Sequence, residues 1–429
     1  MSSRPPSAPL PSYQQAAELV AARASELAQR RRSAERVELV TAAGRVLAQA
    51  IRADQDQPPF ARSTRDGFAC RAVEASKHEA LRIAGSTRAG EAPAGPLPKG
   101  AAWEIMTGAP VPEGADAVAM IEHVEVSGGH VRLLPDRKVK QGENIVAQGA
   151  QARVGDELIP VGSAITFAQI ALAATCGCSM LDVYARPRVA ILTTGDELVS
   201  VESSPAAGQI RNSNAPMLAA MVAAAGGEPW VLPTAADNDE SLDGALAEAA
   251  NADMLLISGG VSAGKFDLVE PALARRGARF HFTGVRIQPG KPLVFGELPA
   301  SSPSSGTGSG TSPVPFFGLP GNPVSSAVTF LLFAAPVLNA LAGSRDRGPR
   351  FAMARLAAET DRRAKPGLTR FLPAFCNFNS RAGQLPEVVI VPWQGSGDLA
   401  ALARSNCFLI VPEETSSFPK GEIVRILLP

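Results

Sequence analysis

The sequence predicts a multidomain α/β protein in which a doubly wound, mostly parallel α/β unit is joined to a β-rich unit and a small C-terminal β-barrel. Three observations carry this reading. From Arg188 to Ala342, short apolar runs alternate with Ala- and Leu-rich helical stretches, the pattern of a parallel sheet covered on both faces. Within that block two loops, Ser258-Gly-Gly-Val-Ser-Ala-Gly-Lys265 and Gly318-Leu-Pro-Gly-Asn-Pro323, each stand where a strand hands over to a helix. On both sides of the block the texture changes to brief strand-like runs cut by Pro and Gly. The 429 residues correspond to about three domains at ~150 residues each.

Taken in order, Tyr13 to Arg32 is Ala/Leu-rich with helical spacing and predicts a long helix, and Val37 to Ile51 continues helically past Gly44. From Ala53 to about Lys140, runs such as Ala117 to Glu122 and His130 to Leu134 predict strands between turns. Val154 to Thr175 is partly helical again. In the central block Val189–Thr193, Trp230–Leu232 and Met254–Ser258 read as strands. Met217–Ala225, Ser241–Ala250 and Leu268–Arg276 read as helices, the first stopped by Gly226-Gly227. Lys291–Glu297 and Pro315–Gly318 form a predicted hairpin around Pro299 to Pro313, a Ser/Gly/Pro tract with nothing to build a core. If those strands pair, Pro289–Pro292 meets Leu319–Asn322 at one end, and the tract lies ~20 Å away at about 3.3 Å per residue. Past Pro349, the runs Glu387–Val391, Cys407–Val411 and Glu422–Leu427 predict the barrel.

Composition excludes several classes. A formal net charge of +0 argues against bulk electrostatic binding to nucleic acid or acidic membrane. The five cysteines are odd in number and scattered, which favours a reduced, cytoplasmic protein over a disulfide scaffold. Met1 to Ser12 has no secretory h-region, and the apolar stretch Thr329 to Leu341 is interrupted by Pro336 and too short to span a bilayer. His78, His123, His130 and His281 show no metal spacing.

The two loops carry the chemistry. Bare glycine N–H groups beside a helix N-terminus form an anion seat, and the same glycines also serve tight strand–helix packing. Gly259 to Lys265 begins like a P-loop, but Phe266 stands where the magnesium-binding Ser or Thr belongs, so a general phosphate cradle fits better than a nucleotide-cleaving one. Lys291, between Pro289-Gly290 and Pro292, is a turn lysine that becomes an anion ligand if the second loop lies opposite. Glu197, Asp237 and Asp267 follow predicted strands on the ligand-binding edge. Singly they read as caps or turn residues; together they are hard oxygen donors suited to Mg²⁺. Asp66-Gly67 alone reads as a turn.

Eight motifs then occur in a recognisable order: Gly44–Leu47, Ser63–Phe68, Ile105–Pro110, Thr194–Glu197, Ser258–Ser262, Pro289–Pro292, Leu319–Pro323 and Gly395–Gly397. On these the chain, from about Tyr13 to Pro429, resembles the MoeA family of molybdopterin molybdenumtransferases, which includes the E domain of gephyrin. The resemblance implies four domains: an elongated N-terminal domain (13–52 and 141–186), an inserted β-rich domain (53–140), an α/β molybdopterin-binding domain (187–345) and a C-terminal barrel (350–429). It also implies a homodimer with a shared site, which inserts molybdate into adenylylated molybdopterin with Mg²⁺ and releases AMP. The molybdopterin adenylyltransferase is then a possible partner. By position, Glu197, Asp237 and Asp267 match the acidic magnesium and nucleotide site. Thr194, Gly195, Gly259, Gly260, Ser262 and Asn322 fall in the substrate loops. Lys291, Pro292, Ser325, Arg370 and Ser396 match residues near the oxyanion. Asp66 and Thr107 match a catalytic pair supplied by the other subunit, with Glu197 and Lys291 completing the catalytic set.

The chain departs from the family at the neutral run Val146 to Gln151, at Gln288, where some members have lysine, and at Asn212, where many have Asp. An adenylyltransferase built on the same α/β unit, or an inactive scaffold paralogue, are the alternatives.

Overall fold

The computed structural model describes residues 9–30, 32–260, 268–299, 313–360, 367–379, 383–415 and 417–429. Its centre is a six-stranded sheet ordered Glu228–Val231, Arg188–Thr193, Met254–Ser258, Val314–Leu319, Val294–Leu298, Arg279–Thr283. The first four strands are parallel; Val294–Leu298 runs antiparallel to them, and Arg279–Thr283 pairs antiparallel with Val294–Leu298. Strand periodicity divides the core between the two faces. Val189, Ile191, Met254 and Leu256 pack on one side with helices Asn214–Ala224 and Pro323–Thr329. Ala190, Leu192, Leu255 and Ile257 pack on the other with helices Asp239–Ala249 and Val269–Arg275. The doubly wound, mostly parallel unit expected from the alternation is therefore present, and the hairpin Val294–Leu298/Val314–Leu319 pairs antiparallel as expected. Its Ser/Gly/Pro tip lies outside the described residues.

The first helix, Tyr13–Leu27, starts at a reciprocal cap: Ser12 Oγ accepts from the Gln15 N–H at 3.2 Å, and Gln15 Oε1 accepts from the Ser12 N–H at 2.9 Å. Its stripe Ala16, Val20, Ala24 and Leu27 is buried in the α/β core beside Phe333 and Leu338. The helix stops before Arg32, whose guanidinium bonds the carbonyls of Ala340 and Leu341 at 2.9 and 3.0 Å and so closes the C-terminus of helix Ala335–Leu341. The helical reading of Val37 to Ile51 is overturned. Ala34–Glu38 is a strand paired antiparallel with Met180–Tyr184, Val40–Ala42 is one 3₁₀ turn, and Gly44 has φ +75°. Cross-strand pairing with residues far along the chain outweighed a weak local helical signal. Between Val154 and Thr175 the helix is confined to Phe167–Thr175.

A second six-stranded sheet, ordered Ala117–Met120, Gly67–Cys70, Ala101–Ile105, Leu81–Thr87, His130–Leu133, Val124–Ser127, forms the β-rich unit. The C-terminal strands close into a ring: Thr369–Asn377 pairs with Glu387–Ile390 and also with Cys407–Val411, while Phe351–Leu356 and Ile423–Leu427 complete the circuit. Closure removes free edges, as expected for the barrel.

The apolar stretch near residue 330 also needs correction. Pro323–Leu341 is a continuous 19-residue helical run, and Pro336 does not break it. The π-helical turn Phe330–Ala334 precedes that proline and absorbs the lost hydrogen bond. The run is long and apolar enough to cross a membrane, but 78% of it is buried inside the protein, which marks a core helix.

One charge pair fixes the first helix to the sheet. Arg23 Nη2 bonds both oxygens of Glu297 at 2.5 and 2.6 Å, and Glu297 is 4% exposed. Removing the arginine leaves the buried carboxylate with only His281 Nε2, 3.6 Å away, as a partner among the described residues. Arg23→Met is expected to cost about 3–5 kcal/mol in urea unfolding, and adding Glu297→Gln should return most of it. A single-variant loss below about 1 kcal/mol would show that the pair is solvated rather than buried.

Candidate functional site

Parallel register aligns the carboxyl ends of three strands: Thr193 lies opposite Ser258, and Ser258 opposite Leu319. The loops that follow converge at this edge. Gly259 (φ +97°) crosses directly over Thr194: a β-carbon there would lie 2.5 Å from the Thr194 carbonyl oxygen and 3.1 Å from its Oγ1. Gly321 of the other loop approaches from the opposite side, with 3.6 Å between its ideal Cβ position and Gly259 Cα. Asn214, at the start of helix Asn214–Ala224, joins the two loops by donating Nδ2 to Ser258 Oγ at 2.8 Å and to the Gly321 carbonyl at 2.6 Å. Among the described residues the buried Thr194 Oγ1 has no hydrogen-bond partner.

The carboxylates occupy the same edge. Glu197 folds back over Gly195, its Oε2 2.6 Å from where a Gly195 β-carbon would sit. The Asp237 N–H donates to Asp196 Oδ1 at 3.0 Å. Desolvation raises the Asp237 carboxyl above its ordinary value; the Asp196 backbone N–H opposes this, and the charges of Asp196 and Glu197 add to the rise. Asp196 is thus a member of the acidic group that the sequence reading missed, since its neighbour Glu197 matched the motif position. Among the described residues none of the three forms an ion pair, and no three His, Cys, Asp or Glu side chains converge as a ready metal site. Ser262 and Asp267 lie outside the described residues.

Asn212 explains its own departure from Asp. Its Nδ2 donates to Thr193 Oγ1 at 2.8 Å and Thr234 Oγ1 at 3.2 Å, while its Oδ1 accepts from the Ala215 N–H at 3.1 Å. The amide ties the ends of two strands to the helix start, using donors that a carboxylate lacks.

The cationic side is built from the barrel. Ile287–Gln288 pairs in parallel with Thr369–Arg370, which places the Lys291 loop beside Arg370. Gly290 packs against Thr329, one turn from Ser325: its ideal Cβ position is 2.6 Å from Thr329 Cγ2. Lys291 is exposed and Pro292 half-buried. Arg370 is 7% exposed, bonds the Thr415 carbonyl through Nη2 at 3.0 Å, and has its pKa lowered by burial. The Gly395–Gly397 turn docks on the second glycine loop: Asn322 Nδ2 donates to Ser396 Oγ at 2.9 Å, and the Val324 N–H to the Ser396 carbonyl at 3.0 Å. Ser325 is 3% exposed, and its carbonyl accepts from Thr329 Oγ1 at 2.8 Å.

Asp66 and Thr107 are brought to each other but not to these groups. The Thr107 N–H donates to Asp66 Oδ1 at 2.6 Å, and this bond, with a further one from the Thr107 side chain, holds the Asp66 carboxyl below its ordinary value. Both residues are exposed on the β-rich sheet, and among the described residues no strand pairing or hydrogen bond links either to the Lys291 loop.

Comparison with known proteins gives matches along almost the whole chain. Residues 11–177 match the MoeA N-terminal region (domain I and II), 190–340 a probable molybdopterin binding domain, and 355–428 the MoeA C-terminal region (domain IV). The molybdopterin molybdenumtransferase of Nostoc sp. is 33% identical over 98% of this chain and 94% of its own length. That of Haemophilus influenzae is 32% identical over 91% and 93%. The crystal structure of the molybdopterin biosynthesis moeA protein from Pyrococcus horikoshii superposes with a TM-score of 0.77 at 27% identity, covering 98% of this chain and 100% of that one.

The close approach of Gly259 to Thr194 gives a direct check. Gly259→Ala should destabilise the α/β core by more than Gly90→Ala, which shares a positive φ (+89°) but has nothing within 4 Å of its ideal Cβ position. The control isolates the backbone penalty of about 1–2 kcal/mol. Equal shifts in the two unfolding curves would mean that the loop has room for a side chain.

Proposed function

The chain belongs to the MoeA family and is a molybdopterin molybdenumtransferase, and we propose that it inserts molybdate into adenylylated molybdopterin with release of AMP. The observation that carries the finer reading is the meeting, at one sheet edge, of two glycine loops, an acidic group and a cationic group (Lys291 and Arg370) contributed with the help of the barrel. Such an edge suits a ligand with phosphate at one part and a second oxyanion at another.

Within this reading, Lys291 and Arg370 hold molybdate, a dianion, by charge-assisted bonds, with Ser325 and Ser396 near it. Arg370 is held in place by its bond to Thr415, and burial strengthens its field. The Gly259 N–H is given to the Leu319 carbonyl at 3.3 Å, so among the described residues Gly260 and Gly321 are the glycines whose backbone N–H groups would meet the phosphates, while Asn322 is steadied by Ser396. Asp196, Glu197 and Asp237 offer carboxylate oxygens without cation partners among the described residues; since the three do not converge as a finished site, they would hold Mg²⁺, a hard ion, only together with oxygens of the substrate phosphates. Bound there, Mg²⁺ would supply charge neutralisation to the phosphoanhydride. Cleavage of the anhydride then needs positioning and electrostatics rather than a covalent nucleophile.

The exposed Asp66–Thr107 pair completes the reading as the contribution of a second subunit in a two-fold homodimer. The Thr107 N–H holds the Asp66 carboxyl below its ordinary value, so it would act there as an ionised hydrogen-bond acceptor that orients a partner group.

Lys291→Ala and Arg370→Ala should each raise molybdate half-saturation in AMP-release assays by roughly tenfold or more, since a charge-assisted bond is worth about 1.5–3 kcal/mol. Asp237→Asn should instead raise the Mg²⁺ requirement. Unchanged titrations in all three would detach these residues from the assigned roles. At molybdate well below the half-saturation of the Lys291→Ala variant, Asp66→Ala and Lys291→Ala homodimers should each be nearly inactive, whereas co-refolding equal amounts should restore about a quarter of wild-type activity, through the one intact site of each mixed dimer. No recovery in verified mixed dimers would place each site within one chain.

A further inference from the structure

Asn214 has no contact role in the reading above, yet it is the side chain that spans both loops. It is 9% exposed and stands at the first residue of helix Asn214–Ala224. One nitrogen makes both of its bonds, to Ser258 Oγ at 2.8 Å and to the Gly321 carbonyl at 2.6 Å. Ser258 ends a central strand, and Gly321 belongs to the turn that leads into the long core helix. Among the described residues the buried amide oxygen has no hydrogen-bond donor. Such an orphaned acceptor opposes folding, so plain packing favours an apolar residue at this position. What the amide supplies, and an apolar side chain lacks, is a fixed spacing between Ser258 and Gly321. Asn212, two residues earlier, anchors the same helix start to Thr193 and Thr234, so Asn214 is itself held on a rigid support.

We propose that Asn214 is a positioning residue that sets the separation of the two glycine loops, so that one bound substrate meets the backbone N–H groups of both. It acts through Ser258 and Gly321 and does not touch the reacting atoms. The consequence for catalysis rests on the insertase reading; the consequence for the loops does not.

The test separates the two. Asn214→Asp keeps the size of the side chain but loses both donors and turns a carboxylate oxygen towards the Gly321 carbonyl. Ser258→Ala removes one bond only and is the fallback if the first variant does not fold. Hydrogen–deuterium exchange is followed at residues 258–260 and 318–322, and molybdate-dependent AMP release is measured with Mg²⁺ and adenylylated molybdopterin well below the unfolding temperature. The expected result is faster exchange in both loops, with kcat lower by about tenfold or more and little change in KM or in the Mg²⁺ titration, because the binding groups remain but are misplaced. Loosening of one loop only or of neither, or a kcat drop smaller than this, overturns the proposal. A merely structural role would lower the unfolding temperature and leave kcat per folded molecule intact. Absence of molybdate-dependent AMP release in the wild type would sink the insertase reading, and the exchange data would still decide whether Asn214 spaces the loops.

Discussion

The arrangement depends on one constraint, the parallel register of three central strands. Because Thr193, Ser258 and Leu319 are level, their carboxyl ends release three chains at the same height, and everything that follows must share one narrow edge. Crowding there explains the composition of the loops. Gly259 lies against Thr194 with no room for a side chain, and Gly321 faces Gly259 across a van der Waals gap. Polar groups that cannot reach water are bonded to the few partners at hand, and among the described residues Thr194 Oγ1 and Asn214 Oδ1 are left over. A site with bare N–H groups is therefore a by-product of close strand alignment as much as of individual residues.

The barrel adds what the sheet edge lacks. The sheet edge itself supplies backbone dipoles and carboxylates; positive charge comes from Lys291 and Arg370, on segments tied together by the short parallel pairing of Ile287–Gln288 with Thr369–Arg370. A second tie, from Ser396 to Asn322 and Val324, fixes the barrel turn onto the helix start. The barrel is therefore tied to the α/β unit at two separate segments, 287–288 and 322–324.

Much of this was legible in the sequence because it rests on local signals. Alternation of apolar runs gave the central sheet, and glycine clusters marked the right strand ends. What was not legible depends on partners distant in the chain. Ala34–Glu38 became a strand only because Met180–Tyr184 lies beside it. Pro336 looked like a break, but a π-helical turn before it keeps the helix running. At the site, Asp196 was hidden by its neighbour Glu197. Asn214 is not marked in the sequence as a buried bridge, because its two acceptors lie 44 and 107 positions away. The Asp66–Thr107 bond likewise joins strand ends that no periodicity relates.

The docking of the first helix also has a bearing on synthesis. Residues 13–27 leave the ribosome well before the core that receives Ala16, Val20, Ala24 and Leu27 is complete, since it includes Phe333 and Leu338, made near the end of the α/β block. At ~5–20 residues per second, the stripe waits roughly 15 to 60 s for its partners. Two of its four buried positions are alanine, so the surface exposed in that interval is small and only weakly adhesive. The Arg23–Glu297 pair forms late for the same reason. Closing this helix over the finished sheet is therefore a late event on the ribosome, and a nascent chain stopped short of residue 338 would carry its amino-terminal helix unburied.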